Sequence, residues 1–182
     1  AESNVKSLAI TNDGKTLSVV LKAKIVIYDI SDLKSINILG SHLFDEAHDI
    51  LDAVFTSDGK TCFAATLQIQ DRRDQPVFTL SVFDLSDHAS FKHLYSMSQS
   101  GLIIRTHSLN LLLTLSKDEQ HLFAIVTDSL FIFDVKVGQS FAETLSIEGL
   151  RFVPSSISLS PNQKVLIIKK EDPTSSSLQL FD

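Results

Sequence analysis

The sequence predicts an all-β fold built of four-stranded antiparallel sheets, the blades of a β-propeller, and three observations predict it. A turn phrase recurs four times, as Thr11-Asn12-Asp13-Gly14-Lys15-Thr16, Thr56-Ser57-Asp58-Gly59-Lys60-Thr61, Ser116-Lys117-Asp118-Glu119-Gln120-His121 and Ser160-Pro161-Asn162-Gln163-Lys164-Val165. Each turn is followed by an apolar run closed with an acid: Ile25-Val26-Ile27-Tyr28-Asp29, Leu80-Ser81-Val82-Phe83-Asp84, Leu130-Phe131-Ile132-Phe133-Asp134 and Leu178-Gln179-Leu180-Phe181-Asp182. The residues after the first three closing acids also align, from Asp29 to Ile36, Asp84 to Phe91 and Asp134 to Phe141, and lead into a further apolar stretch. A period near fifty residues with four short strands per period describes propeller blades, and no helix is required.

The repeats run over 1–47, 48–106, 107–151 and 152–182, together one propeller region over 1–182. In each, a first strand ends just before the turn, at Leu8-Ala9-Ile10, Ala53-Val54-Phe55, Leu113-Thr114-Leu115 or Ile157-Ser158-Leu159. The second strand follows the turn, from Leu17 to Leu21, Phe63 to Thr66, Leu122 to Val126 and Val165 to Ile168. Gly14 and Gly59 provide the positive φ of a tight hairpin without steric cost, whereas Glu119 and Gln163 stand at that position in the later repeats and predict a left-handed non-glycine residue or another turn. The third strand carries Tyr28, Phe83, Phe133 or Phe181, whose regular recurrence fits packing between blades. A fourth strand is expected near Ile36 to Leu39, Phe91 to Tyr95 and Phe141 to Ile147, and the last repeat lacks one.

From turn Asp or Asn to closing Asp the spacing is 16, 26, 16 and 20 residues, so two repeats carry insertions between their second and third strands. These are Gln68 to Pro76 and Lys170 to Ser177, polar and Pro-containing, and they read as loops on one face of the array. The open last blade predicts either a segment of a larger propeller or copies that complete one another, because uncovered strand edges and blade faces invite pairing.

Composition narrows the function classes. With 43% hydrophobic and 21% charged residues the 182-residue chain has the make-up of a folded domain. A net charge of -6 without a basic run argues against nucleic acid. No apolar stretch reaches the length of a membrane helix, and Ala1-Glu2-Ser3-Asn4 lacks the features of a signal peptide. The single Cys62 makes no internal disulfide and reads as a small core residue at the position held by Leu17, Leu122 and Leu166.

The runs Ile25 to Leu33 and Leu80 to Asp87 resemble the LVIVD-type repeat, an apolar strand followed by Asp-Ile-Ser and a fresh turn. The Ser/Thr-x-Asp-Gly-Lys-Thr turns are similar to those of YVTN and WD40-like propellers, although the chain has no Trp and thus no Trp-Asp signature. That resemblance implies an interaction propeller, often secreted or at the cell surface, and transfers no catalytic residue.

The densest polar segment is His42 to Asp49 with Asp52 behind it. Imidazole and carboxylate together ligate Zn or Ca, which makes His48, Asp49 and Asp52 the candidate metal set, against a solvated inter-blade loop. The other repeats hold Ser3, Asn4 and Ser7, or Ser108, Leu109 and Leu112, at the equivalent places. His88 and His93 read as surface residues flanking a strand. Asp29, Asp84, Asp134 and Asp182 read as turn caps rather than a carboxylate ring. No Gly-x-Ser-x-Gly elbow or phosphate-cradling loop occurs.

The resulting expectation is a non-catalytic, protein-binding or self-assembling propeller without a cofactor. Its partners would be other proteins or copies of itself, met through Asp71, Arg72, Arg73 and Asp74. The alternative is a metal-dependent hydrolase or lactonase-like enzyme with its metal around His48, Asp49 and Asp52.

Overall fold

The computed structural model describes residues 5–44, 48–68, 77–99, 111–126, 129–135, 141–146, 153–160, 166–172 and 175–181. The chain divides into two units, Ala1–Leu102 and Ile103–Asp182. The first holds two four-stranded sheets: β1 (Val5–Ile10), β2 (Thr16–Leu21), β3 (Lys24–Asp29) and β4 (Asn37–Leu43), then β5 (His48–Phe55), β6 (Thr61–Gln68), β7 (Val77–Asp84) and β8 (Lys92–Gln99). The second holds β9 (Leu111–Leu115), β10 (His121–Val126), β11 (Ser129–Asp134) and β12 (Phe141–Ser146), then a three-stranded sheet of β13 (Val153–Leu159), β14 (Leu166–Asp172) and β15 (Ser175–Phe181). Every strand pairs antiparallel with its neighbour in sequence, and no helix occurs among the described residues. The all-β, blade-like fold read from the repeats is the fold observed.

The repeated turn explains itself at atomic level. Thr11 Oγ1 donates to Asp13 Oδ1 at 2.6 Å, Lys15 N donates to the same oxygen at 3.0 Å, and Thr16 N donates to Thr11 Oγ1 at 3.1 Å. Thr56, Asp58, Lys60 and Thr61 reproduce this at 2.7, 2.9 and 3.0 Å. Ser116 does the work of the threonine in the third repeat, with its hydroxyl 2.6 Å from Asp118 Oδ1. The next residue then takes positive φ, +70° at Gly14, +71° at Gly59 and +56° at Glu119, so the hairpin keeps one form even where glycine is absent. Gln163 lies outside the described residues. Adjacent turns also meet, Asn12 N donating to Ser57 O at 2.9 Å.

Pleat alternation divides each sheet into two faces. On the first sheet Val20 pairs with Ile25, and Ser18 with Ile27, placing these side by side. On the second, Phe55 pairs with Cys62 and Cys62 with Phe83, while Ala53 pairs with Ala64. The two faces pack together with Phe44, Ile50 and Leu85 in one core. Full burial of an Ile or Phe contributes about 1.5–3 kcal/mol, so this seam holds the first unit together. Phe83 lies inside it, as the recurring third-strand aromatic predicts. Cys62 is buried too, and burial pushes its thiol far above the ordinary range.

The other face of the first sheet is open. Leu8 and Ile10 are each 61% exposed, and Ile38 and Leu43 are exposed as well. In the second unit, Phe123, Ile125, Leu130 and Ile132 of the third sheet meet Ile157, Leu159 and Ile168 of the fourth, which repeats the pattern of the first seam.

One expectation is corrected. The insertion Lys170 to Ser177 reads from sequence as a loop, but Lys170 pairs with Ser177, Glu171 with Ser176 and Asp172 with Ser175. The extra residues described here lengthen two paired strands. Most of the other insertion, 69–76, lies outside the described residues.

Candidate functional site

The acidic end of β5 is assembled from three local features. Lys22 and Ala23 form the turn between β2 and β3, and their carbonyls accept hydrogen bonds from Ile50 N at 2.7 Å and Phe44 N at 2.8 Å. These bonds fix the crossing from the first sheet to the second against that turn. They also bring Lys22 Nζ within 3.3 Å of Asp49 Oδ2, both side chains being well exposed.

A β-bulge then intervenes between Ile50 and Asp52. It sets Asp49 opposite Leu67 and Asp52 opposite Ala65, alternate positions of β6, so both acids belong to one face of the sheet. The backbone of His48 pairs with that of Gln68. Asp52 Oδ1 accepts from Ala53 N at 2.8 Å.

Asp49 and Asp52 of the proposed set thus share a face, and among the described residues no three His, Cys, Asp or Glu side chains are placed to hold a metal ion. Lys22 is the member that sequence reasoning missed, because its partner lies 27 positions away (49 minus 22) across a sheet boundary. Asp71, Arg72, Arg73 and Asp74 lie outside the described residues.

Two of the closing acids, Asp29 and Asp84, behave as caps, and Asp182 lies outside the described residues. Asp29 Oδ1 accepts from Ser31 N and Asp84 Oδ1 from Ser86 N, each at 2.9 Å. The serine hydroxyls, and then these amides, hold both carboxyls below the usual carboxylate range.

Of the histidines nearby, His93 is exposed, as the sequence suggests, while His42 and His88 are half-buried. His42 belongs to an aromatic group at the seam. Its ring centroid lies 4.9 Å from Phe44, 5.1 Å from Phe83 and 5.4 Å from Phe91, the last stacked at 19°. His93 is not beside β8 but within it, 5.5 Å from Phe83, with Nε2 2.7 Å from Ser96 Oγ. His88 is half-buried rather than a plain surface residue, and its Nδ1 is enclosed without a hydrogen-bond partner among the described residues. No helix among the described residues is long and apolar enough to cross a membrane.

No family model and no curated protein matches the chain. Among solved structures, it is similar to a periplasmic gluconolactonase of Pseudomonas aeruginosa, PpgL, with a TM-score of 0.63 at 16% identity. The match covers 99% of this chain and 57% of that one, so the chain spans little more than half the length of that neighbour. The shared fold supports the propeller reading. It also corrects the expectation of a non-catalytic binding or self-assembling module, since a solved structure similar to this chain is that of a lactonase.

Proposed function

We propose that this chain is part of a propeller enzyme that hydrolyses a cyclic ester of the lactone class. The observation that carries the reading is the likeness to gluconolactonase over 99% of the chain. The repeat phrase supports blades of the LVIVD or YVTN kind. The neighbour's periplasmic setting supports a location outside the cytoplasm.

Lactone hydrolysis needs a base to take a proton from water as its oxygen bonds to the carbonyl carbon, and a positive group near the carbonyl oxygen. The ring C–O bond then breaks, and the released alkoxide takes up a proton to give the hydroxy acid. Asp49 and Asp52, on one face of the sheet, are the candidate bases, and Lys22 is the candidate cation.

The test is hydrolysis of glucono-δ-lactone by the purified chain in a pH-stat. A rate above the spontaneous one, lowered at least about tenfold by Asp49→Asn or Asp52→Asn with an unchanged circular dichroism spectrum, is the expected result. A folded chain that leaves a panel of lactones at their spontaneous rates overturns the reading. Because the Lys22–Asp49 pair is exposed, its loss costs less than about 1 kcal/mol of stability, so Lys22→Met reports on chemistry rather than folding.

A further inference from the structure

Two imidazoles stand on the outer strands of neighbouring blades with one phenyl ring between them. His42, on β4, is half-buried against the rings of Phe44, Phe83 and Phe91. His93, on β8, meets Phe83 from its own sheet, since it is that residue's cross-strand partner. Phe44 and Phe83 also pack edge to face at 5.5 Å, and both belong to the buried core of the seam.

We propose that His42 and His93 form a proton-operated latch that closes the seam between the first two blades at neutral pH and loosens it on acidification.

A neutral imidazole packs among phenyl rings as an aromatic of modest polarity. An imidazolium there loses hydration that the rings do not replace. The face of Phe91 offers some cation–π attraction, worth about 0.5–2 kcal/mol. Burial opposes the charge, and the second charge that reaches His42 is another base, His93. Together these hold His42 below 6.5, burial being the larger cause.

Of the other charged and titratable groups on the packed elements, Asp29 is capped by Ser31, Lys24 stands opposite Leu43 and Tyr95 opposite Val82. Asp84 is capped by Ser86, Asp87 Oδ1 accepts from Ala89 N, and Lys92 lies beside Asp84. His88 packs against β4 through its backbone at Gly40. His93 shares its Nε2 hydrogen bond with Ser96, whose hydroxyl lies 2.8 Å from that of Ser81.

The sign follows directly. A histidine that is harder to protonate in the folded state than in the unfolded one adds stability above the unfolded value, 6.5. That stability is lost as pH falls below 6.5 and levels off beneath the folded value. Each unit of separation weakens the closed seam by about tenfold in its opening equilibrium.

The experiment has two arms. Proton NMR of the unmodified chain follows the His42 ring across pH 8 to 4, and hydrogen exchange at β3, β4, β7 and β8 is measured at pH 7.5 and 5.5, corrected for the intrinsic pH dependence of exchange. The expected result is a His42 midpoint below 6.5 and a fall in corrected protection at these strands that exceeds the fall at β9 and β10. His42→Phe, which keeps the ring and removes the proton, is expected to abolish that excess, and His93→Gln to raise the His42 midpoint. A His42 midpoint at or above 6.5, or an unchanged excess in His42→Phe, overturns the latch. Should His42→Phe fail to fold, the NMR midpoint and His93→Gln decide alone.

Discussion

Gly40 and His88 meet backbone to backbone. A Cβ on Gly40 would overlap the carbonyl oxygen of His88 and crowd the carbonyl carbon and Ala89 Cα, so the outer strand of the first blade can reach the turn of the second only because position 40 has no side chain. Neither partner is a flexible side-chain end, and relief requires a shift of one of the two main chains. Gly40→Ala is therefore expected to destabilise the first unit by about 1–3 kcal/mol, as overpacking does, measured by denaturant unfolding. Gly14→Ala is the informative companion. It has open space around it but φ at +70°, and should cost about 1–2 kcal/mol from backbone strain alone.

The two faces of the first sheet should respond very differently to truncation. Ile25 has no exposed surface, whereas Ile10 is 61% exposed. Ile25→Ala is expected to cost about 2–5 kcal/mol, and Ile10→Ala to stay within about 0.5 kcal/mol in the same denaturation assay. Equal losses would place Ile10 in a core.

Cys62 should be chemically silent in the folded chain. Its side chain is fully enclosed, and burial strongly disfavours the thiolate that reacts with disulfide reagents. Thiol titration with an aromatic disulfide should give no signal until denaturant unfolds the chain, and then one equivalent. Rapid reaction under native conditions would contradict the packing of the seam.

Acid should weaken the hairpin turns. The Lys60 amide, with the Thr56 hydroxyl, holds the Asp58 carboxyl below 3.8, and the Thr11 hydroxyl with the Lys15 amide does the same at Asp13. A carboxylate easier to ionise in the folded state adds stability above 3.8 that disappears as pH falls through its lower folded value. Asp58→Asn keeps an acceptor oxygen in place but cannot titrate. It should flatten the fall in melting temperature between pH 5 and 2.5, while an unchanged slope would assign the acid sensitivity to other groups.

Most of the fold is legible in the sequence because blades are written in local terms. Thr-x-Asp, or Ser-x-Asp in the third repeat, fixes the first three turns through hydrogen bonds that span at most five positions, and the alternation of Val20, Ile25 and Ile27 fixes which face is buried. Glu119 at φ +56° was anticipated for the same reason. The strand-like character of Lys170 to Ser177 was not, since Ser and Pro weigh towards a loop until a paired strand is present.

The candidate site is much less legible. Crowding of His48, Asp49 and Asp52 in sequence says nothing of a bulge or a pleat, and the bulge decides that Asp49 and Asp52 share a face. Lys22 joins Asp49 only through a contact between sheets, where no short-range pattern points.

The uninterrupted order in which each strand pairs with the next has a kinetic consequence. Closing any one sheet joins stretches of chain that are already near neighbours, so little loop entropy is lost before pairing begins. For an all-β chain this is a favourable route: individual blades can form quickly and independently, and the slow event in refolding is the docking of one finished sheet onto another.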